Sequence, residues 1–194
     1  MKSPSTTLPV LRSTSARLCF QGTERRRALA RLAGLGCLLA AGPLAAQGGA
    51  LTPVPGTPAA PALALPDIDG RPVDLAAHRG RLVLVNFWAT WCPPCRREFP
   101  SLSRVQKLFK PAELAVLAVN VGEDAETIFS FAGGSDIALL LDRDSAAMRR
   151  WPVKGLPTTF IVDRQGRLAL RAVGGRDFDN AAIVAQLRAL LRNT

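Results

Sequence analysis

Metal-ligating residues are scarce in this sequence. Its 194 residues hold one histidine, His78, and four cysteines. Two of these, Cys19 and Cys37, fall in an N-terminal leader, so the rest of the chain keeps only Cys92 and Cys95. Two thiols and one distant histidine are too few for a closed zinc site, which weighs against a metal-binding or metal-delivery module. Arg96, not histidine, follows Cys95, and this excludes c-type haem attachment at the pair. Aromatic residues make up 6% of the chain and are not interleaved with a basic stripe, so a nucleic-acid partner is not expected. The formal charge of +10 does not change this once it is divided. Residues 1–62 carry seven Lys/Arg against one Asp/Glu, hence +6, and residues 63–194 carry eighteen against fourteen, hence +4. No internal repeat is visible.

Much of the excess charge sits in the leader. Arg25, Arg26, Arg27 and Arg31 precede an apolar run over residues 32–46 made of Ala, Leu, Gly, Cys and Pro. A basic region, an apolar stretch and small residues at its end describe an export signal, with cleavage expected after Ala46. A retained membrane anchor is the alternative, although the run is shorter than the roughly 18 residues a spanning helix needs. A lipoprotein site at Cys37 fits poorly with Gly34-Leu35-Gly36 before it. The paired arginines are compatible with twin-arginine export. The expected domains are therefore a signal peptide or anchor over 1–46, a Pro/Ala/Gly linker over 47–62 and a globular domain over 63–194. The expected location is the periplasm or the outer face of the cytoplasmic membrane.

The chemistry is concentrated in one stretch. An apolar run through Val83, Leu84, Val85, Asn86, Phe87 and Trp88 reads as a buried strand. Cys92-Pro93-Pro94-Cys95 follows, on the turn where a helix begins. That helix is read from Cys95, Phe99, Leu102, Val105 and Phe109, whose spacing places them on one face. Proline is tolerated in its first turn because the missing N–H has no intrahelical partner there. Unpaired N–H groups and the positive end of the macrodipole favour an anion at Cys92, and the thiolate is the nucleophile. Cys95, less accessible, is close enough to attack a mixed disulfide on Cys92 and leave the pair oxidised. The redox-active Cys92–Cys95 disulfide needs no further cofactor.

Around this centre the chain alternates strands and helices. A hairpin is expected around Asp69-Gly70, with His78 as a solvated residue in a polar turn. Pro100 lies inside the site helix and should bend it. A strand over Leu114–Val121 pairs in parallel with the first through a right-handed crossover. A helix over Ala125–Ala132 stops at Gly133-Gly134, a strand covers 138–141 and a helix 145–151. Residues 156–162 and 167–172 form an antiparallel hairpin. A last helix, capped by Asp177 or Asp179, presents Ile183, Leu187, Leu190 and Leu191. The class is α/β, a mixed sheet between helices.

Two separated motifs carry a resemblance. Residues 86–100 (Asn-Phe-Trp-Ala-Thr-Trp-Cys-Pro-Pro-Cys-Arg-Arg-Glu-Phe-Pro) and 155–163 (Gly-Leu-Pro-Thr-Thr-Phe-Ile-Val-Asp) resemble the thioredoxin fold. They are most similar to the TlpA/ResA-like extracytoplasmic thiol–disulfide oxidoreductases. The resemblance spans residues 63–191 and implies a thioredoxin-like domain with an N-terminal β-hairpin and a central α/β insertion, here residues 123–141. It implies that Pro157 is cis and faces the cysteines, exposing the backbone of Leu156 to pair with an incoming peptide. It also implies a role for Glu123, which would raise a thiol pKa or shuttle a proton; the alternative is an ordinary acid in the first turn of a helix. Trp88 and Trp91 are expected to wall the site, with Trp91 lining a substrate groove and Trp151 in the core or a lid.

The dipeptide between the cysteines bears on direction. Pro93-Pro94 supplies neither charge nor an N–H donor, so a potential well below the about −120 mV of the strongest oxidants of this fold is expected. The resemblance agrees: such proteins reduce secreted protein disulfides, often on apocytochrome c, and are recharged by a membrane-embedded thiol donor. Several relatives carry another residue in place of one of these prolines, which leaves potential and partner open. A thiol-dependent peroxidase of the same fold is a further alternative, but resolution by Cys95 makes a lasting sulfenic acid on Cys92 inefficient. A binding domain with a structural disulfide is the last.

Overall fold

The computed structural model describes residues 49–193. The expected leader over 1–46, with Cys19 and Cys37, lies outside the described residues, as does Thr194. Among the described residues no helix is long and apolar enough to cross a membrane.

The central strand β4 (Leu82–Trp88) is buried along its whole length, as expected of a β-branched and aromatic run covered on both faces. Three short strands, β1 (Thr52–Pro53) and the β2–β3 hairpin (Ala64–Pro66, Pro72–Asp74), precede it. Helix α1 (Pro93–Lys107), β5 (Leu114–Val121), α2 (Ala125–Ala132) and β6 (Ala138–Asp142) follow. Then come α3 (Ala146–Arg150), β7 (Thr158–Val162), β8 (Leu168–Val173) and α4 (Ala181–Asn193). The six-stranded sheet runs β1-β8-β7-β4-β5-β6. β4, β5 and β6 are parallel; β7, β8 and β1 join antiparallel. This is the mixed thioredoxin-like sheet, with α2 and β6 occupying the expected insertion.

Alternation along the strands divides the core. Leu82, Leu84 and Trp88 pack with Phe99, Leu102 and Val105 of α1, Ile128 of α2, and Ile183 and Leu187 of α4. Val83, Val85 and Phe87 face the other way, toward Leu117, Val119, Trp151, Phe160 and the residues flanking the hairpin, Leu63 and Leu75. Trp151 therefore belongs to the core, its ring 5.4 Å from Phe87 and 5.5 Å from Phe160. The site helix runs unbroken through Pro100, which is exposed.

Three details differ from the sequence expectation. The stretch read as a linker is pinned to the domain from Leu51 onward. Leu51 is buried and exchanges two hydrogen bonds with Gln186 of α4. Val54 N–H donates to Ala169 and Leu168 N–H to Pro58, so this segment covers the β8 edge. Pro and Ala composition signals extended backbone but cannot say whether a sheet edge waits for it. The hairpin turn does the same at the other edge, where Ile68 N–H donates to Leu139 of β6 (3.0 Å). At the start of α4, Asn180 accepts from Ala182 N–H (2.9 Å), in place of Asp177 or Asp179; Asp179 is held instead by Arg104. Finally, His78 is half-buried against Arg81 rather than freely solvated (2.8 Å). Its pKa is lowered by burial first, then by the Arg81 charge.

Covering β8 has a measurable consequence. A chain beginning at residue 63 should be less stable than one beginning at residue 49 by about 2 kcal/mol or more, from the loss of Leu51 burial alone. Thermal unfolding of the two chains checks this. Equal Tm values would show that the segment contributes nothing to the fold.

Candidate functional site

Strand β4 delivers the chain to the sheet's C-terminal edge, and there the cysteine pair starts α1. Cys92 is the N-cap, with extended backbone, and its Sγ accepts from the Cys95 N–H at 3.4 Å. Pro93 and Pro94 occupy the first helical positions and bring no donor. The Cys95 N–H is thus the donor that the helix start directs at Cys92 Sγ. Cys92 and Cys95 are joined in a disulfide. Cys92 retains 4% exposure and Cys95 none, the asymmetry expected of an attacking and a resolving sulfur.

A groove of about 450 Å³ opens at the disulfide, lined by Trp91, Cys92, Pro94, Val121, Met148 and Leu156 among others. Trp91 is 66% exposed, whereas Trp88 is buried, its ring 4.6 Å from Phe99. The two tryptophans therefore divide: Trp91 borders the groove and Trp88 supports α1 from beneath. The Leu156–Pro157 bond is cis. Gly174 N–H donates to the Pro157 carbonyl (2.9 Å), and Leu156 lies partly buried on the groove wall.

Glu123 sits just beyond β5 and reaches the loop that enters Cys92. Its Oε2 accepts from the Thr90 N–H (2.8 Å) and the Asn120 amide (2.7 Å), and its Oε1 accepts from the Thr90 hydroxyl. Asn120 is fully buried. Both carboxylate oxygens are thus engaged in holding residue 90, two positions before the nucleophile. The arrangement is a clamp on the loop. Glu123→Gln should loosen it, with about 1–3 kcal/mol lost because a charged acceptor of three bonds becomes an amide. Denaturant unfolding measures the loss; an unchanged midpoint would contradict the clamp.

A second carboxylate went unread in the sequence. Glu98 lies one turn beyond Cys95 on the same buried face of α1 and is only 3% exposed. Its Oε1 accepts from the Asn86 amide (2.8 Å), which also donates to Thr159 (2.8 Å). Its Oε2 accepts from the Arg176 N–H (3.0 Å). Burial raises its pKa to about 7, against the opposing pull of the Arg176 N–H, the Asn86 amide and the Arg176 charge. An acid three positions after a cysteine, inside an otherwise apolar stripe, was the available signal. Glu98 also borders a hollow of about 730 Å³ together with Pro94, Arg97, Gly175 and Arg176. The carboxyl therefore belongs to the residue one turn along α1 from the buried sulfur and borders a hollow open to solvent.

Known proteins are similar to part of this chain. The ResA thiol-disulfide oxidoreductase of Geobacillus thermodenitrificans is 37% identical over 111 residues, 56% of this chain and 64% of that protein. ResA of Bacillus subtilis is 35% identical over 117 residues, 59% of this chain and 65% of that one. The chain thus spans slightly less than two thirds of these relatives. Among solved structures, a Chlorobium tepidum protein assigned as a thiol:disulfide interchange protein DsbE is 34% identical. It superposes with a TM-score of 0.64, covering 70% of this chain and 96% of that one. A family model, AhpC/TSA, matches residues 57–171. With that match, the cis-Pro157 loop and the Cys92–Cys95 helix start, this chain belongs to the AhpC/TSA family, on a thioredoxin-like fold.

Proposed function

We propose that this protein is a thiol–disulfide oxidoreductase acting outside the cytoplasm, and that it works as a reductant of protein disulfides. The observation that carries the reading is the order Cys92, Cys95, Glu98 along one helix start: a slightly exposed sulfur, a buried one, then a buried acid.

In the reduced protein, the Cys92 thiolate attacks one sulfur of a substrate disulfide. A Cys92–substrate bond forms, the substrate S–S bond breaks, and the released thiolate takes a proton from water. Cys95 then gives its proton to Glu98, its sulfur displaces the second substrate thiolate from Cys92, and that thiolate too takes a proton from water. The substrate gains two electrons and two protons, and the Cys92–Cys95 disulfide is formed. Glu98 suits the proton step because its pKa of about 7 lets it accept and return a proton near neutral pH. Its proton leaves through the hollow beside Pro94 and Arg176, on the other side of Pro94 from the Trp91 groove. The Leu156 backbone, beside cis-Pro157, pairs with the substrate chain while Trp91 and Met148 hold its side chains.

Direction follows from donor count. With Pro93 and Pro94 supplying no N–H, the Cys92 thiolate is less stabilised than in a strongly oxidising relative, which favours a reducing couple. Secreted protein disulfides, those of apocytochrome c included, are the proposed substrates, with a membrane-embedded thiol donor restoring the dithiol. Titration against glutathione, combined with alkylation of Cys92 across pH, tests the reading. Fast alkylation of Cys92 with a depressed thiol pKa supports it. A bridge that resists mild dithiol, or a thiol titrating like a free one, overturns it.

A further inference from the structure

Strand β4 carries one amide among its apolar side chains. Asn86 is fully buried, on the face that Leu84 and Trp88 turn toward α1. An apolar residue would fill this place with no polar group to satisfy, so a buried amide needs a reason. Its Nδ2 donates twice, to Glu98 Oε1 (2.8 Å) and to the hydroxyl of Thr159 (2.8 Å), its register partner on β7. Its Oδ1 is buried and has no hydrogen-bond partner among the described residues.

The two oxygens of Glu98 are held by donors of different kinds. Oε2 accepts from the Arg176 N–H (3.0 Å). That donor belongs to the backbone of a loop pinned to α1, where Ser101 Oγ accepts from the Phe178 N–H (3.0 Å). A backbone N–H donates whatever the charge on Glu98. In the protonated acid Oε2 is therefore the carbonyl oxygen, and the proton sits on Oε1. There it would meet the Asn86 NH₂, donor against donor. Turning the amide over removes the conflict. Oδ1 then accepts from the Glu98 O–H, and the Thr159 hydroxyl, an acceptor in one orientation, donates in the other. Either orientation leaves one end of the amide without a partner, so the charge on Glu98 decides between them.

We infer that Asn86 is a positioning residue for the proton step, its amide presenting Nδ2 to the Glu98 carboxylate and Oδ1 to the protonated acid. This rests on the proton role proposed for Glu98 and adds the group that lets one buried site hold both of its forms. The proton released by Cys95 Sγ goes to Glu98 Oε1, and none passes through Asn86. The other titratable or charged groups around Glu98 are Cys95 and Arg97 on α1, and Arg176 and Asp177 in the loop before α4. Substitutions at residue 86 leave all four in place.

The test uses the full chain. In the oxidised protein with ¹³C in its asparagine side-chain carbonyls, the infrared band that Asn86→Asp removes belongs to residue 86. That band should move to lower frequency as pH falls through about 7, where Oδ1 gains a bond, and should not move in Glu98→Gln. In kinetics, Asn86→Leu takes one donor from the carboxylate. The pH step of mixed-disulfide resolution should move up by about one to two units, and resolution at neutral pH should slow about tenfold or more. Asn86→Asp keeps the shape and sets a second carboxyl against the first, so the single step should split into two, one on either side of about pH 7. A band that ignores pH, or that follows it equally in Glu98→Gln, overturns the inference. So do variants that keep the wild-type step. The wild-type profile separates the two levels. If its step is present and the Asn86 variants leave it unmoved, only the role of Asn86 fails; if there is no step, the proton role of Glu98 fails with it.

Discussion

Cys95→Ser should convert this protein into a trap. Cys92 would still attack a substrate disulfide, but no second sulfur would release it, and covalent adducts should accumulate. Turnover should fall by on the order of 10³-fold or more, as when one member of a concerted catalytic set is removed. Cys92→Ser should lose turnover to a similar degree and form no adducts, because the buried Cys95 has no exposed surface to offer. Non-reducing gels and mass spectrometry of adducts distinguish the two variants. If Cys95→Ser yields no mixed disulfides, or if Cys92→Ser yields as many, the assignment of attacking and resolving sulfurs is reversed or wrong.

Glu98→Gln should produce the second large effect, and on two separate observables. In catalysis, resolution of the mixed disulfide should slow by about 10²-fold, and the rate step near pH 7 should disappear, because the amide accepts no proton. In stability, the raised pKa means that the folded protein holds this proton more tightly than the unfolded chain does. The stabilisation is complete below about pH 4.5 and is lost as pH rises through about 7. The gap between the two values corresponds to about 3 kcal/mol. The wild-type protein should therefore lose that much between pH 4.5 and neutrality from this group, and the Glu98→Gln protein should not. The substitution is accommodated in place. Asn86 Oδ1 has no partner, so a flip of that amide lets it accept from the introduced side-chain NH₂. Urea unfolding of the oxidised protein across pH measures the stability arm. Parallel curves for the two proteins would remove Glu98 from the proton chemistry.

Glu98 and Glu123 show how differently two acids can be read. Glu123 stands just past a buried strand, where the family resemblance implies an acid near the disulfide. In the structure it meets Thr90, 33 residues away, and its oxygens are occupied there. Its position near the site was visible in the sequence, but its clamping bonds were not. Glu98 stood in plain view among charged neighbours at the start of α1. What makes it unusual is enclosure by Asn86 on β4 and by the Arg176 N–H, 78 residues on.

The legible features are those written in short stretches of chain. The period of α1, the apolar run of β4 and the Gly133 helix stop depend on neighbours within a turn or two, and all lie where the residue pattern placed them. The nucleophile belongs with these, since a helix N-cap is a local device and Cys92 announces it. Chain folding contributed what local pattern cannot encode. It laid residues 51–60 along β8, brought Met148 and Leu156 to one groove, and enclosed Glu98 until its proton affinity suited neutral pH. Burial and distant partners set these properties, and both arise when segments far apart in the chain meet.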